Sequence, residues 1–333
     1  MKYKDTYQAW MCHDFDHHKN LKITEVILTP PLEDEVLVKV AAFSPGFPDL
    51  LMVNGKYQLR PEVPFTPCME FAGTIEGLGS EVRQYSIGQR VMGTVRYGSA
   101  AEFVIAKASD CYLIPERFNF FEAASFLIAY KTAYVALISR GSVSEGETVL
   151  IHGASGGVGL AALQLARHLG AKTIATVSSE EKAELLSHYV TTDVLVCPEG
   201  GFKDDVNDLT GGVGADVIFD PIGGNVFDES TKCIAPFGRL LIVGFAGGRI
   251  ATAATNHMLI KQYSVVGVRA GEFGRIDQVR GEEVMNGLLK MVELGAFKPC
   301  IHDVRNFKDL IQALNDCGDN IFRTNYTLSL IHI

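Results

Sequence analysis

From about residue 126 the chain alternates short apolar runs with longer amphipathic stretches. The runs Thr148–His152, Thr173–Val177, Val194–Cys197, Asp216–Phe219, Arg239–Gly244 and Ser264–Val268 are rich in Val, Ile and Leu with little alternation. That is the pattern of strands buried on both faces of a parallel sheet. Helical stretches, Gly157–Leu169 and Ser179–His188, lie between the first of them. Six such strands match the count of a doubly wound dinucleotide-binding sheet. Before residue 126 the texture differs. Pro and Gly punctuate short alternating runs, among them Val36–Val40, Gly73–Glu76, Arg90–Gly93 and Glu102–Ile105. This predicts a β-rich barrel or sandwich. Near the end, Glu282–Leu294 puts Val284, Leu288, Met291 and Val292 on one helical face, and Phe307–Leu314 does the same with Phe307, Leu310, Ile311 and Leu314. Both helices are expected to return to the first domain. The α/β chain is thus divided into residues 1–125, a nucleotide domain at 126–268, and a return segment at 269–333.

Composition narrows the picture. A chain of 333 residues with 47% hydrophobic and 21% charged residues has the profile of a globular protein of two domains. No apolar run approaches the length of a membrane span, so no membrane partner is expected. Met1–Asn20 is polar and carries no secretory block. Net charge is −9 and no two Lys or Arg residues are adjacent, which argues against nucleic acid as a partner. The seven cysteines are widely spaced, odd in number and free of any C-x-x-C pair. They read as free thiols, and a cytoplasmic location is expected. Glycine is the outlier at 33 residues, which makes the placement of the glycines informative.

The sharpest cluster follows the first apolar run. Ala154-Ser155-Gly156-Gly157-Val158-Gly159 is a dinucleotide fingerprint with Ala in place of the first Gly. Ala154 is read as the small residue of the tight turn. Gly156 admits a pyrophosphate to the backbone, and Gly159 lets helix and strand pack closely. A helix starting near Gly157 offers unpaired N–H groups and a positive dipole end to phosphate.

The second strand bears on which dinucleotide. An NAD site places Asp or Glu at its end, to hold the ribose 2′-hydroxyl. Here the strand runs out as Val177-Ser178-Ser179, with Lys182 three residues on. Small hydroxyls and a cation accept a 2′-phosphate that a carboxylate would repel, which favours NADPH. Ser179 also reads as an ordinary helix N-cap and Lys182 as a solvated cation.

The chain resembles the medium-chain dehydrogenase/reductase superfamily in its zinc-free quinone oxidoreductase (ζ-crystallin-like) branch. The resemblance rests on the fingerprint and on four further stretches: Phe47–Tyr57, Pro64–Gly73, Asp220–Gly224 and Gly238–Gly248. It implies a GroES-like β-barrel catalytic domain, a Rossmann domain, and an active site in the cleft between them. It also implies NADPH-dependent hydride transfer to quinones or other α,β-unsaturated carbonyls, by a homodimer. Tyr57, after the Gly55 turn of the family's active-site loop, is the candidate donor to the substrate carbonyl, and is equally read as an amphipathic residue between surface and core. Asp49 matches a family position near the nicotinamide and is read as orienting its neighbours. Thr132, Val243, Gly244, Phe245, Asn256 and Val268 are implied around the nicotinamide, and Arg323 at the 2′-phosphate.

Alcohol dehydrogenase relatives hold zinc with a Cys in the segment here occupied by Gly46–Asp49 and a His where this chain has Met69. Neither ligand is available, so no metal is expected. The run Cys12-His-Asp-Phe-Asp-His-His18 has metal-ligand residue types but is read as a solvated loop. Three departures from the family stand near the site: Gly46 for Asn, Cys68 for Gly, and Cys197 for Tyr. The tail from Asn325 also departs and is read as other than the natural end. Three functions follow as candidates. The first is an NADPH:quinone reductase, the second an enone, enal or enoyl-thioester reductase, and the third a non-catalytic NADPH-binding structural or regulatory protein.

Overall fold

The computed structural model describes residues 6–189, 191–198, 200–320 and 329–332. The chain divides into two compact units. The first holds Met1–Leu127 and Ile301–Asp319, with the strand Ser329–His332; the second holds Ile128–Cys300.

In the first unit β1 (Thr6–Met11) and β2 (Lys22–Ile27) form an antiparallel pair. Five more strands follow in the chain: β3 (Glu35–Ser44), β4 (Glu70–Leu78), β5 (Arg90–Thr94), β6 (Phe103–Lys107) and β7 (Cys111–Leu113). Strand β3 pairs antiparallel with both β4 and β6, and β4 continues through β5 to β7. Val36, Val38, Val40, Phe43, Phe71, Ile75 and Val91 from these strands meet Trp10 and Phe307 in one core. Trp10 Nε1 donates to the Phe307 carbonyl at 2.8 Å, so the late segment is tied to the first strand by a buried bond.

The second unit carries a six-stranded parallel sheet. Its strands in chain order are β8 (Thr148–Ile151), β9 (Lys172–Val177), β10 (Asp193–Val196), β11 (Ala215–Asp220), β12 (Ile234–Ile242) and β13 (Ser264–Gly267). Their spatial order is β10-β9-β8-β11-β12-β13. This is the doubly wound order 3-2-1-4-5-6, with the chain reversing its direction of build beside β8. The apolar runs are fully buried in β8 and β11 (Val149, Leu150, Ile151, Val217, Ile218, Phe219), as a sheet covered on both faces requires. Helix Gly157–His168 packs on β8 and β9 through Leu160, Leu163 and Leu165. The last strands, β14 (Asp303–Asn306) and β15 (Ser329–His332), belong to the first unit, where β15 lies between β14 and β3. No helix among the described residues is long and apolar enough to cross a membrane.

Two expectations change. Residues 269–300 do not return to the first unit. Helix Ala270–Ile276 and helix Gln278–Glu293 stay with the second, and only the segment from Ile301 goes back. The reason is a close approach of helices. A Cβ on Gly287 would lie 2.2 Å from the Tyr134 hydroxyl of helix Leu127–Tyr134, while one on Gly281 would lie 2.7 Å from Gly274 Cα, which packs the segment's own two helices on each other. Strand β12 also begins earlier than its apolar run, at Ile234. A bulge separates the pairs Ala215–Ile234 and Val217–Arg239, and within it Phe237 takes φ +62° while its ring stands 67% exposed.

A left-handed backbone costs a non-glycine residue about 1–2 kcal/mol, while glycine loses about 0.5–1 kcal/mol in chain entropy. The exposed Phe237 ring returns little of this by burial. Phe237→Gly is therefore expected to raise stability by up to about 1 kcal/mol, read as a higher urea midpoint with unchanged slope; a lower midpoint would show that the ring is held by contacts worth more than the strain.

Candidate functional site

The carboxyl ends of the parallel strands carry most of the nucleotide-side candidates. After β8 the chain passes His152 and turns at Gly153, whose φ is +57°. The tight turn is thus made by Gly153 and not by Ala154, which is fully buried and donates its N–H to the Thr176 carbonyl of β9 at 3.2 Å. Gly156 is the N-cap of helix Gly157–His168, and the first backbone bond of that helix runs from Leu160 N–H to the Gly156 carbonyl at 2.9 Å. The N–H groups of Gly157, Val158 and Gly159 are left over by the helix itself. A Cβ on Gly159 would fall 2.4 Å from the Gly153 oxygen, so only glycine allows the helix to start this close to the turn. Gly156 is less constrained, its Cβ position being 3.2 Å from the same oxygen. Ser155 is buried in the loop. The result is a helix N-terminus with free donors at the carboxyl edge of the central strand, which suits the pyrophosphate of a dinucleotide.

At the end of β9, Ser179 caps helix Glu180–Ser187 by accepting the Lys182 N–H. The Lys182 side chain is not a solvated face. It is 4% exposed, and its Nζ donates to Ser178 Oγ at 2.7 Å. Burial lowers its pKa. A buried ammonium in the first turn of a helix opposes the helix dipole, and an anion at Ser178–Lys182 would offset both penalties. Glu181 bonds the Ser179 side chain, which holds its carboxylate below the usual range.

The ends of β11 and β12 are joined by short bonds. Asp220 Oδ1 accepts from the Ile222 and Gly223 N–H groups, both at 2.8 Å. Its Oδ2 is buried with no partner among the described residues, and burial pushes the carboxyl up to about 6. Val243 and Gly244 donate to the Asp220 carbonyl, and Gly247 donates to Ile222. Gly223, at φ +70°, lies where a Cβ would come 3.0 Å from the Phe245 ring. Phe245 is 40% exposed, as a ligand-facing ring would be, and Val268 closes the edge by donating to Ile242. Two candidates are carried by helices and not by strand ends. Thr132 donates its hydroxyl to the Ile128 carbonyl at 2.7 Å within helix Leu127–Tyr134, and Asn256 is exposed in the first turn of helix Thr255–Lys261. Arg323 lies outside the described residues. His152, Gly153, Thr176 and Asp220 were missed as site residues, although His152 borders the fingerprint in sequence.

In the first unit, Gly46 caps helix Phe47–Val53, and Asp49 Oδ2 accepts the Gly46 N–H at 2.7 Å. Asp49 is 1% exposed, and its Oδ1 has no partner among the described residues. Register sets Ser44 of β3 opposite Glu70 of β4, which brings Cys68 across from this segment. Cys317 adds its thiol to the Pro45 carbonyl at 3.5 Å. Cys68 has φ +68° and is fully buried, so the departure from Gly falls on a left-handed position. Burial and the nearby Asp49 raise the thiols of Cys68 and Cys317. Tyr57 is half-buried and rests on the first unit's core, beyond the Gly55 turn at φ +64°.

The two positions read as the zinc ligands of relatives carry neither thiolate nor imidazole. Gly46 and Phe47 offer no side-chain ligand, Met69 is a thioether, and no group of three metal-binding side chains occurs among the described residues. The Cys12–His18 run is likewise committed elsewhere. Cys12 is buried on the Asp14 carbonyl, and His18 joins Asn54 to Asn315.

Burial pushes the Asp49 carboxyl up to about 7, the Gly46 bond working the other way. An unfolded aspartate titrates near 4. Between about pH 4 and pH 7 the folded chain keeps a proton that the unfolded chain has lost. Stability therefore falls as pH rises through this window and levels off above it. Asp49→Asn, which keeps the Gly46 bond, is expected to lose less stability between pH 5 and pH 8 than the parent, by on the order of a few kcal/mol. Urea midpoints at the two pH values check this, and equal losses would place the carboxylate in a solvated setting.

Comparison with known proteins agrees with this geometry. The alcohol dehydrogenase GroES-like domain model matches residues 32–116, and the zinc-binding dehydrogenase model matches residues 157–284. Quinone oxidoreductase-like protein 2 of Rattus norvegicus is 34% identical over 322 residues, 96% of this chain and 90% of that protein. Quinone oxidoreductase of Homo sapiens is 32% identical over 259 residues, 77% of this chain and 78% of that protein. A mycobacterial protein solved in complex with NADPH superposes with a TM-score of 0.89 at 28% identity, covering 98% of this chain and 100% of that one. With a GroES-like first unit, a six-stranded Rossmann sheet and relatives of this extent, the chain belongs to the quinone oxidoreductase branch of the medium-chain dehydrogenase/reductase superfamily, a family of oxidoreductases.

Proposed function

We propose that the protein is an NADPH-dependent reductase of quinones that works without zinc. The observation that carries the cofactor is the buried Lys182 ammonium on Ser178, set beside a glycine-shaped helix N-terminus. The N–H groups of Gly157–Gly159 would hold the pyrophosphate, and Ser178, Ser179 and Lys182 the 2′-phosphate. The NADPH complex of the mycobacterial relative supports this reading. Bound there, the cofactor would supply hydride to an electron-poor acceptor.

The chain's own part is to orient and to stabilise charge. Tyr57 offers a hydroxyl donor to the oxygen on which negative charge develops. Asp49 holds the start of helix Phe47–Val53 through Gly46 and thereby fixes the loop that leads to Tyr57. Phe245 and Val243 present an apolar face at the strand ends, suited to a flat ring. A second copy of the chain is proposed as the only protein partner. The open edge at β13 and the exposed Ile250, Leu259 and Ile260 support it, and native mass measurement would test it.

Stopped-flow oxidation of NADPH with 1,4-benzoquinone, 9,10-phenanthrenequinone and an enone panel tests the reaction. Faster turnover of quinones is expected; preference for enones would assign the enone reductase function, and tight NADPH binding without turnover would sink both. Lys182→Ala is expected to raise the KM for NADPH about tenfold or more with little change for NADH. Tyr57→Phe is expected to lower kcat by about tenfold or more at unchanged NADPH affinity.

A further inference from the structure

His152 has no role in the reading above, yet it is the most completely specified polar side chain near the phosphate loop. It is 1% exposed, and its ring lies against Phe202 at 4.7 Å between centroids. Burial lowers its pKa to about 3, so it is neutral and carries one N–H. Its two nitrogens meet Thr176 Oγ1 at 2.9 Å and Ser230 Oγ at 2.8 Å. The directions of these bonds follow from Ser230. That hydroxyl donates its single proton to the Val226 carbonyl at 2.7 Å. With its proton assigned there it accepts from His152, and the imidazole proton is assigned to Nε2. Nδ1 is then an acceptor and takes the Thr176 proton. Three directed bonds run from Thr176 through His152 and Ser230 to the backbone of helix Gly224–Cys233. Thr176 and Ser230 are also buried, so water cannot replace any of the three.

The position of Thr176 gives this chain of bonds its meaning. Its side chain holds residue 152, just before the Gly153 turn, and its carbonyl holds the Ala154 N–H, just after it. Two residues further on, Ser178 meets the Lys182 ammonium. One residue thus ties both sides of the phosphate loop to the strand that leads to the cation.

We propose that His152, held as a single tautomer by Thr176 and Ser230, is a positioning residue that fixes the distance between the phosphate loop and the Ser178–Lys182 segment, and so sets the preference for a 2′-phosphorylated dinucleotide. The proposal rests on the dinucleotide reading given above. A 2′-phosphorylated ligand is held at two anionic points whose spacing is set by its own covalent frame. The second point gains from a fixed receptor spacing and loses when that spacing fluctuates. A dinucleotide without the 2′-phosphate uses one of the two points and is less sensitive.

The test is a titration of the full chain with NADPH and with NADH, followed by nicotinamide fluorescence. Thr176→Val keeps the shape and removes the donor to Nδ1. It is expected to weaken NADPH about tenfold and NADH less than about threefold, the loss of one buried bond falling on the two-point ligand. Thr176→Ser keeps the donor and is expected to keep the preference. Ser230→Ala attacks the other end of the bonds and should act as Thr176→Val does, including where that variant folds poorly. In a Lys182→Ala background Thr176→Val should no longer separate the two cofactors. Nitrogen-15 shifts of the His152 ring should report Nε2–H without titration from pH 5 to pH 9. Equal weakening of both cofactors, an unchanged preference, or an Nδ1–H ring would overturn the proposal while leaving NADPH binding intact. A parent protein that binds neither dinucleotide would overturn both readings.

Discussion

The approach of helix Gly157–His168 to the turn at Gly153 is the contact around which the second unit is arranged. A methyl group at residue 159 would stand 2.4 Å from a backbone oxygen, well inside any tolerable separation. Without a side chain there, the helix begins directly at the carboxyl end of the central strand. Its unused N–H groups then face the point at which the sheet reverses its order of build. The neighbouring strand ends are bonded to this turn or to one another, by Ala154 to Thr176, His152 to Phe219 and Val243 to Asp220. The candidate site is therefore an edge of the parallel sheet whose turns are bonded to the strand ends.

Each unit also buries polar groups that carry or could carry charge. His152 is buried and fully bonded, so its neutral state is stable and its ring serves as a strut. Asp220 and Asp49 are buried with one oxygen bonded and one without a partner among the described residues, and both carboxyls are raised toward neutrality. Lys182 keeps its ammonium out of water beside a serine hydroxyl. The unpartnered carboxyl oxygens and the buried ammonium are worse for folding than apolar side chains would be. In the second unit such groups gather at strand ends, and in the first one sits at the start of helix Phe47–Val53; perturbed buried groups of this kind mark candidates for function within each unit.

Cys68 shows how a family departure acquires a physical meaning. Relatives carry Gly there by resemblance, and the backbone at this residue is left-handed in a fully buried setting. The thiol thus occupies a position shaped for glycine, beside a buried carboxyl and a second thiol. The first unit accepts that strain close to the loop on which Tyr57 stands.

Local periodicity and side-chain type were enough to read much of the second unit. Six apolar runs were legible as six parallel strands, because burial on both faces leaves an unbroken Val/Ile/Leu signature. The spacing of Gly156 and Gly159 was legible because steric room is a property of single residues. The serines, in place of an acid, at 178 and 179 were legible for the same reason. Tertiary structure alone decided the rest. The left-handed turn fell on Gly153 rather than Ala154, because φ is set by where the chain must go next. Strand β12 starts at Ile234, ahead of its apolar run, through a bulge in which its own residues 235–238 are the extra ones opposite β11. Residues 269–300 stayed with the second unit, where Gly287 lets helix Gln278–Glu293 touch Tyr134 at a distance no pattern announces. The bonds of His152 reach partners 24 and 78 residues away in the chain. Hydrogen-bond direction is a property of assembled groups, and it comes into being only when distant strand ends are brought together.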